Sequence, residues 1–196
     1  MKKRIAVLVS GGGTNLQALI DAQGKVLNSG EIVLVVSNAA GAYALERAKK
    51  AGIATATLLK KELGGQAPFE KALAYLLHEQ KIDVIILAGF MTILTEWFTR
   101  QFPERILNVH PALIPSFCGE GFYGLRVHEA ALRYGVKVTG ATVHFVNEIP
   151  DGGEIIAQKA VYIEDGDTPE ILQRRVMEQA EWILLPEAAE KVCASM

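Results

Sequence analysis

Cysteine is scarce in this sequence, and its scarcity argues against two ways of stabilising a small protein. Cys118 and Cys193 are the only cysteines among 196 residues, and neither belongs to a CxxC or CxxH spacing. A disulfide scaffold and a zinc site are therefore not expected, and no metal is predicted at the functional site. Unpaired cysteines are usual in a reducing compartment, which predicts a cytoplasmic location.

The sequence also lacks an excess of either charge and any long apolar run. Its 20 Lys and Arg residues nearly balance 22 Asp and Glu residues, and no basic stripe suggests a nucleic-acid surface. Near the start of the chain, Ile5–Val9 is followed directly by Ser10, so this apolar run is too short for a signal peptide or a membrane span. Nucleic acids and membranes are therefore not expected as partners, whereas small-molecule substrates are.

Apolar segments are nevertheless plentiful, and their order predicts the fold. Half of the residues are hydrophobic, and the length fits one domain over residues 1–196. Buried-strand patterns such as Ile5–Val9 alternate with helical patterns in the first half of the chain, which is typical of parallel strands covered by helices. Lys137–Phe145 and Ile155–Ile163 are joined by a short turn and should be antiparallel. We therefore expect an α/β fold with three layers, in which a mostly parallel, twisted sheet has helices on both faces and an antiparallel C-terminal strand pair.

A glycine-rich loop, Ser10–Asn15, follows the first predicted strand and precedes a helix. Its glycines permit a tight turn and a close approach of the backbone to a ligand. Thr14 is predicted to cap the helix, whose free N–H groups and dipole would suit an anion such as phosphate. The loop matches neither GxGxxG nor GxxxxGK[ST], so a plain tight turn remains an alternative to a phosphate site.

Polar or glycine-rich residues follow four of the predicted strands. These strand ends are Ser10–Gly13, Ser37–Asn38, Ala88–Met91 and Asn108–Pro111. In open parallel sheets, ligands bind beyond the carboxyl ends of the strands. The four segments are therefore expected to line one site.

Asn108 and His110 occupy alternate positions of an apolar run, so a strand would present both on one face. Alone, they fit a hydrogen-bonded strand end as well as a ligand site. Asp151 lies in a glycine-flanked turn, where its carboxylate could raise the pKa of an imidazole and fix its tautomer. An Asn amide can hold an oxygen that becomes negative, and a His–Asp pair can move protons. Together these residues predict acyl transfer to an amine.

The other reactive side chains are expected to be structural or solvated. His128 falls on a helix flank, His144 lies within a strand, and His78 lies near a helix end. Nothing near Cys118 indicates a lowered thiol pKa. The absence of a GxSxG motif argues against a serine acyl-enzyme. Two further local features are predicted: Pro68 should open the third helix, and Pro186 should kink or restart the last one.

Four segments carry a resemblance to a known family: Ser10-Gly-Gly-Gly-Thr-Asn-Leu-Gln17, Leu87-Ala-Gly-Phe-Met91, Asn108-Val-His-Pro-Ala-Leu-Ile-Pro115 and His144-Phe-Val-Asn-Glu-Ile-Pro-Asp-Gly-Gly153. They resemble the phosphoribosylglycinamide formyltransferases, Rossmann-like folate-dependent enzymes, over residues 3 to 186. The resemblance implies transfer of a formyl group from the co-substrate 10-formyltetrahydrofolate to the amine of N1-(5-phospho-D-ribosyl)glycinamide. Tetrahydrofolate is the second product, and the reaction belongs to de novo purine (IMP) biosynthesis.

The resemblance also implies roles for individual residues. Asn108, His110 and Asp151 would be catalytic. The ribonucleotide would contact Gly13, Thr14, Asn15 and a glutamate of the last helix, Glu181 by counting back from Pro186 and Glu178 as the alternative. The folate would contact Gln66, Met91, Thr92, Ile93, Leu94, Asn108, Asn147 and Asp151.

Some departures and alternatives accompany the resemblance. Gln66 and Thr92 stand where the family often has Arg, which predicts a weaker hold on the glutamate tail of the folate or different residues for it. A formyltetrahydrofolate deformylase would normally carry an additional N-terminal domain, whereas this chain starts at the first strand. Methionyl-tRNA formyltransferase would need a basic C-terminal domain, and a non-catalytic binding module would not depend on His110. A monomer or homodimer is expected, with a loop over Pro111–Gly124 that moves on binding.

Overall fold

Seven strands form one sheet in the computed structural model, which describes residues 1–196. The strands are β1 (Lys3–Val9), β2 (Gly30–Ser37), β3 (Ala54–Thr57), β4 (Val84–Leu87), β5 (Ile106–His110), β6 (Val138–Phe145) and β7 (Ile155–Tyr162). The α-helices are α1 (Thr14–Ala22), α2 (Tyr43–Lys50), α3 (Gln66–Glu79), α4 (Glu96–Thr99), α5 (Leu125–Tyr134), α6 (Pro169–Val176) and α7 (Trp182–Ser195). A π-helical turn, Met177–Glu181, joins α6 to α7. No helix combines the length and apolarity that crossing a bilayer would need.

The strand order is β3-β2-β1-β4-β5-β6-β7. Strands β1 to β5 pair in parallel, whereas β6 runs antiparallel to both β5 and β7. The carboxyl ends of the five parallel strands therefore share one edge, and β6 and β7 extend the sheet beyond β5. The predicted mostly parallel sheet with an antiparallel C-terminal pair is confirmed.

Two apolar clusters cover the two faces of the sheet. Along β1, Ile5 and Val7 pack on the face covered by α1, α2 and α7, while Ala6 and Leu8 pack on the face covered by α3 and α4. Successive side chains of a strand point to opposite faces, so a strand buried on both sides must be apolar throughout. The three-layer arrangement is therefore also as predicted.

The start of α1 differs from the prediction that Thr14 caps it. Gly13 is the N-cap residue, with a left-handed φ of 73°, and no side chain accepts a hydrogen bond there. The Thr14 hydroxyl instead lies 3.9 Å from the sulfur of Met177. A Cβ at Gly13 would lie 2.6 Å from the Cβ of Ala44. The packing of α2 against the loop thus requires glycine, and this contact cannot be deduced from local sequence.

The helix boundary near Pro68 also differs, and of the two effects predicted for Pro186 the restart of the helix is not observed. Helix α3 begins at Gln66, so Pro68 lies within its first turn, where a missing N–H costs no helical hydrogen bond. Pro186 lies inside α7, and no helix restarts there. The change of helical geometry comes earlier, at the π-helical turn that ends at Glu181. Such turns are frequent at functional sites.

Candidate active site

A cleft of about 750 Å³ opens at the carboxyl edge of the parallel strands. It is bounded by the ends of α1, β4 and β5, by the loop after β5, and by the turn between β6 and β7. The predicted site residues that line it are Asn15, Met91, Thr92, Ile93, Leu94, Asn108, His110, Asn147, Asp151 and Glu181. Gly13, Thr14 and Gln66 do not line the cleft, although the first two directly precede Asn15.

Hydrogen bonds join the strand ends that were predicted to meet. The backbone N–H of Met91, after β4, donates to the hydroxyl of Ser10, after β1, at 2.8 Å. The Asn38 amide, after β2, donates to the hydroxyl of Thr92 at 2.7 Å. These bonds hold three loops at one edge of the sheet, and the cleft lies beside them.

His110 is buried at the end of β5, and its two ring nitrogens face different groups. Nε2 lies 2.8 Å from the carbonyl oxygen of Phe117, so it carries the proton and donates. Nδ1 faces Oδ2 of Asp151 at 3.5 Å. Burial lowers the pKa of His110, although the Asp151 carboxylate acts in the opposite direction. The resting ring is therefore neutral, and a second proton on Nδ1 would be stabilised by Asp151.

Asp151 presents its carboxylate to two imidazoles. Oδ2 accepts a hydrogen bond from the N–H of Gly119 at 2.9 Å, and Oδ1 lies 3.5 Å from Nε2 of His144. Burial alone would raise the pKa of Asp151. The imidazoles of His144 and His110, when protonated, and the Gly119 N–H together outweigh burial and lower this pKa below its usual value. Asp151 has a left-handed φ of 56°, a conformation that Asp tolerates better than most residues.

Asn108 and His144 form a pair across the β5–β6 boundary. They are opposite each other in the antiparallel register, and Nδ2 of Asn108 lies 3.2 Å from Nε2 of His144. Nδ1 of His144 donates to the carbonyl of Phe145 at 2.8 Å, which leaves Nε2 as the acceptor for Asn108. The second N–H of the Asn108 amide remains available to a ligand.

His144 therefore corrects the expectation that it is structural, because it lines the cleft and contacts both Asn108 and Asp151. The register between β5 and β6 is regular, and it places His144 directly opposite Asn108. That β6 pairs with β5, and in which register, is decided by the tertiary fold and is not stated by the pattern of either strand.

His128 was also expected to be structural, and its surroundings differ from that expectation. It is fully buried, lines the cleft, and neither ring nitrogen has a hydrogen-bond partner. Burial, and then the proximity of His110, lowers the pKa of His128 to about 4, so the ring is neutral. It therefore presents a polar group to the cleft without adding charge.

Cys118 and His78 behave as predicted. The thiol of Cys118 donates to the carbonyl of Pro115 at 3.3 Å. Burial and the charge of Asp151 raise the pKa of this thiol, which disfavours the nucleophilic thiolate. His78 is exposed at the end of α3 and stacks on Phe102.

The glycine loop turns its carbonyls away from the cleft. The carbonyl of Gly11 accepts from the N–H of Ala44 at 3.0 Å, and that of Gly12 accepts from Nε of Arg47 at 2.8 Å. Both donors belong to α2. The N–H groups at the start of α1 have no partner within the helix, as at any helix start. This arrangement suits an anion at the α1 end of the cleft.

Glu181, at the end of the π-helical turn, is buried beside Asn15. The Asn15 amide donates to Oε2 of Glu181 at 2.7 Å. Burial raises the pKa of Glu181 to about 7, although the bond from Asn15 lowers it. The side chain of Glu178 is half-exposed, and its Oε1 lies 3.2 Å from Nε of Arg174. Of the two glutamates considered from the sequence, Glu181 is therefore the one that faces the cleft.

Two further residues predicted to contact the folate, Gln66 and Asn147, form hydrogen bonds with other groups of the protein. The Gln66 amide donates to Oε1 of Glu70 at 2.7 Å and to the carbonyl of Ile93 at 3.1 Å. Asn147 accepts from the N–H of Ile149 at 2.9 Å within the turn that carries Asp151. No Lys or Arg side chain lines the cleft, and no group of three or more His, Cys, Asp or Glu side chains is arranged to hold a metal.

Comparison with known proteins agrees with this geometry. The model of the formyl transferase family matches residues 3–188. The phosphoribosylglycinamide formyltransferase of Haemophilus influenzae is 43% identical over 177 residues, which cover 90% of this chain and 81% of that protein. The crystal structure of glycinamide ribonucleotide transformylase 1 from Symbiobacterium toebii superposes with a TM-score of 0.92 at 40% identity. The superposed residues are 99% of this chain and 89% of the Symbiobacterium toebii chain.

Longer proteins contain a similar segment. The trifunctional purine biosynthetic protein adenosine-3 of Gallus gallus is 46% identical over 193 residues, which are 98% of this chain and 19% of that protein. The chain thus spans about a fifth of the length of this relative. The family match, the shared fold and the cleft at the strand ends lead to one conclusion: the chain belongs to the formyl transferase family.

Proposed function

We propose that the cleft transfers the formyl group of 10-formyltetrahydrofolate to the amine of N1-(5-phospho-D-ribosyl)glycinamide, giving the N-formyl product and tetrahydrofolate. The relatives named phosphoribosylglycinamide formyltransferase support this reaction and its place in purine biosynthesis. One observation carries the proposal for this chain. Asn108, His110 and Asp151, together with His144, form a connected group within a cleft of about 750 Å³.

The reaction needs an amine to attack the formyl carbon and a negative oxygen to be stabilised. The N–H of Asn108 that is not given to His144 donates to this oxygen. The amine loses a proton as the new C–N bond forms, and Nδ1 of His110 can receive it. The carbonyl of Phe117 and the carboxylate of Asp151 then stabilise the doubly protonated ring. The intermediate collapses by breaking the bond to N10 of the folate, and N10 takes up the proton that His110 received from the amine, which returns the imidazole to its neutral state.

The two substrates occupy opposite ends of the cleft in this proposal. The phosphate of the ribonucleotide lies at the start of α1, near Gly13, Thr14 and Asn15, where the loop carbonyls point away. Glu181 contacts the ribonucleotide beside Asn15. The folate lies along Met91–Leu94 and meets the turn that contains Asn147 and Asp151. Gln66 supports this wall through its bond to Ile93 and does not line the cleft.

The decisive experiment is an assay of purified protein with both substrates. His110→Ala and Asp151→Asn are expected to lower kcat/KM by about 10²–10⁴-fold, the usual contribution of acid–base groups. His78→Ala and Asp165→Asn are matched controls, since both side chains are exposed and neither lines the cleft. Their activity should equal that of the unaltered protein.

Two results would contradict the proposal. Unchanged turnover in both His110→Ala and Asp151→Asn would exclude the mechanism, and no turnover by the unaltered protein would leave a non-catalytic binding module. Release of formate from 10-formyltetrahydrofolate without the ribonucleotide would identify a deformylase, which uses water in place of the amine. The single domain over residues 1–196, the cytoplasmic location and the choice between monomer and homodimer stay predictions.

A further inference from the structure

One wall of the cleft has no regular secondary structure. After β4 ends at Leu87, no residue before Glu96 belongs to a helix or strand. Met91, Thr92, Ile93 and Leu94 of this stretch line the cleft, and the side chains of Met91 and Ile93 are largely exposed. Neither helical nor sheet hydrogen bonds hold this wall in place. Its conformation must therefore be set by other contacts.

Side chains from three other elements supply those contacts. Ser10, after β1, accepts from the N–H of Met91, and Asn38, after β2, donates to Thr92. At the far end, Gln66 and Glu70 of α3 bind the rest of the segment. The α3 contacts are distinctive because a buried carboxylate takes part in them.

Glu70 is only 1% exposed, and no Lys or Arg forms an ion pair with it. Oε1 accepts from the N–H of Thr95 and from the amide of Gln66, each at 2.7 Å. Oε2 accepts from the hydroxyl of Thr95. Burying a carboxylate without a cation is costly unless donors satisfy it, and here two N–H groups and a hydroxyl supply them. The two N–H groups can only donate, so an accepting oxygen is required at the position of Oε1.

Thr95 shows how strongly this contact sets the local geometry. It is the N-cap residue of α4 but makes no capping hydrogen bond with its side chain. Thr is a favoured cap because its hydroxyl normally accepts from the helix start. Here the hydroxyl and the N–H both donate to Glu70 instead. Glu70 thus fixes where the wall ends, while Gln66, bound to the same carboxylate, fixes Ile93.

We infer that Glu70 is a positioning residue for the folate donor, which fixes from outside the cleft the wall that Met91–Leu94 present to it. Glu70 does not line the cleft and touches neither the catalytic group nor the glycine loop. Substitution of Glu70 should therefore weaken the binding of the folate and leave the binding of the ribonucleotide unchanged. The inference rests on the proposed function, because it assigns this wall to the folate.

Glu70→Gln is the sharpest test, since it keeps the shape of the side chain. The NH₂ group of the new amide can face only the Thr95 hydroxyl, which must then accept in place of donating, and the neutral amide weakens the two bonds to the remaining oxygen. We expect the KM for 10-formyltetrahydrofolate to rise about tenfold, in line with the difference between hydrogen bonds to charged and to neutral groups. The KM for the ribonucleotide and kcat should stay within about twofold of the unaltered protein, since the residues that serve them are untouched.

Thr95→Val and Thr95→Ser form a matched pair for the same contact. Valine has the shape of threonine but removes the hydroxyl donor to Glu70, so it should raise the folate KM as well. Serine keeps both donors and should behave like the unaltered protein. In Glu70→Gln/Thr95→Val, the two effects should be less than additive because they remove one shared contact. If Glu70→Gln does not fold, the Thr95 pair provides the same test.

The outcomes separate this inference from the proposed function. Calorimetric titration with tetrahydrofolate under anaerobic conditions measures folate binding without turnover. If the unaltered protein binds tetrahydrofolate and transfers formyl groups, an unchanged folate KM in Glu70→Gln overturns the inference alone. An equal rise of both KM values, or a lower melting temperature with unchanged KM values, would show a merely structural role. If the unaltered protein neither binds tetrahydrofolate nor transfers formyl groups, the proposed function fails and the inference fails with it.

Discussion

Glu181 makes stability depend on pH in a definite direction. Burial raises its pKa from the ordinary 4.5 to about 7, so the folded protein binds this proton more tightly than the unfolded chain does. The stabilising contribution is complete below about pH 4.5 and is lost as the pH rises through 7. We expect Glu181→Gln, which still accepts from Asn15, to be more stable than the unaltered protein at pH 8 by up to roughly 3 kcal/mol. At pH 5 the two should differ much less.

Urea unfolding at pH 5 and pH 8 measures this difference. Glu178→Gln is the control, since it removes a carboxylate from the same π-helical turn that is half-exposed and paired with Arg174. Its stability should follow that of the unaltered protein at both pH values. The same pH dependence in Glu181→Gln and the unaltered protein would show that Glu181 is ionised at low cost in the folded state.

His144 should matter for turnover through Asn108. His144→Leu removes the acceptor of one Asn108 N–H. The amide can then rotate, and its other N–H no longer points to the oxygen that becomes negative. We expect kcat to fall about tenfold, which corresponds to one hydrogen bond, with smaller changes in either KM. Steady-state kinetics with His78→Leu as the control checks this expectation. Unchanged kcat in His144→Leu would show that Asn108 is oriented by other contacts.

Residue chemistry predicted part of this group from the sequence, and tertiary contacts decided the rest. Asn108 and His110 could be recognised because alternation along β5 places them on one face. Asp151 is connected to them as expected, with Oδ2 near His110. His144 and His128 could not be recognised, because the pairing of β6 with β5 places one and helix packing buries the other beside the cleft. Neither this strand pairing nor the packing of α5 leaves a local sequence pattern.

At the scale of elements, the β6–β7 hairpin carries Asp151 and depends on Gly153. A Cβ at this position would overlap the carbonyl oxygen of Phe145, and the two strands are bonded there through Phe145 and Glu154. Gly153→Ala must separate the strands, so we expect a loss of about 1–3 kcal/mol in the free energy of unfolding. Activity should fall more steeply than stability, because Asp151 moves with the turn.

Chemical unfolding and turnover of Gly153→Ala, measured side by side, test this expectation. Glu154→Ala is the neighbouring control, since the Glu154 side chain is exposed and only its carbonyl bonds to Phe145. Both quantities should be unaltered in that variant. Full activity in Gly153→Ala would mean that the hairpin tolerates a wider spacing without displacing the carboxylate.

Hydrogen bonds hold the first part of the loop Pro111–Gly124 in place. The motion predicted from the sequence is therefore limited to the rest of the loop. Thr142 of β6 donates to the carbonyl of Ala112 and accepts from the N–H of Ile114. Gly119 is bound to Asp151. The cleft-lining tip, residues 120 to 124, has no comparable contact with β6 or β7 and should close over bound substrates. Limited proteolysis with and without both substrates checks this motion, and equal cleavage of the tip in both samples would exclude it.

Element types and most boundaries followed from the apolar patterns, because strands that are mostly buried, such as β1, β4 and β5, leave a strong signal. The start of α1 did not follow, since the left-handed Gly13 reflects the packing of Ala44 against the loop. Cap preferences describe an isolated helix, and here a second helix occupies the space beside the cap. The same limit applies to Thr95, whose hydroxyl serves Glu70 and not the helix that it begins.

For the whole molecule, the charge distribution predicts that the KM for the folate depends little on the number of glutamates in its tail. No Lys or Arg lines the cleft, and Gln66 and Thr92 are engaged with neighbouring groups. We expect the KM for 10-formyltetrahydrofolate with one glutamate and with three to agree within about threefold, because exposed ion pairs elsewhere contribute little. Thr92→Arg should lower the KM for the longer tail, and the uncharged Thr92→Gln should not. A strong preference of the unaltered protein for the longer tail would contradict this expectation.

The bond between Asn15 and Glu181 joins residues that are 166 positions apart, whereas Asn108 and His144 are 36 apart. Closing a long loop costs more chain entropy than closing a short one, and distant contacts form late when a chain folds. The chemical centre around β5 and β6 can therefore assemble before the ribonucleotide end of the cleft is complete. A refolding chain should therefore recover the arrangement of its catalytic residues first and its ability to bind the ribonucleotide last. Because turnover requires bound ribonucleotide, the return of enzymatic activity measures the final step of folding.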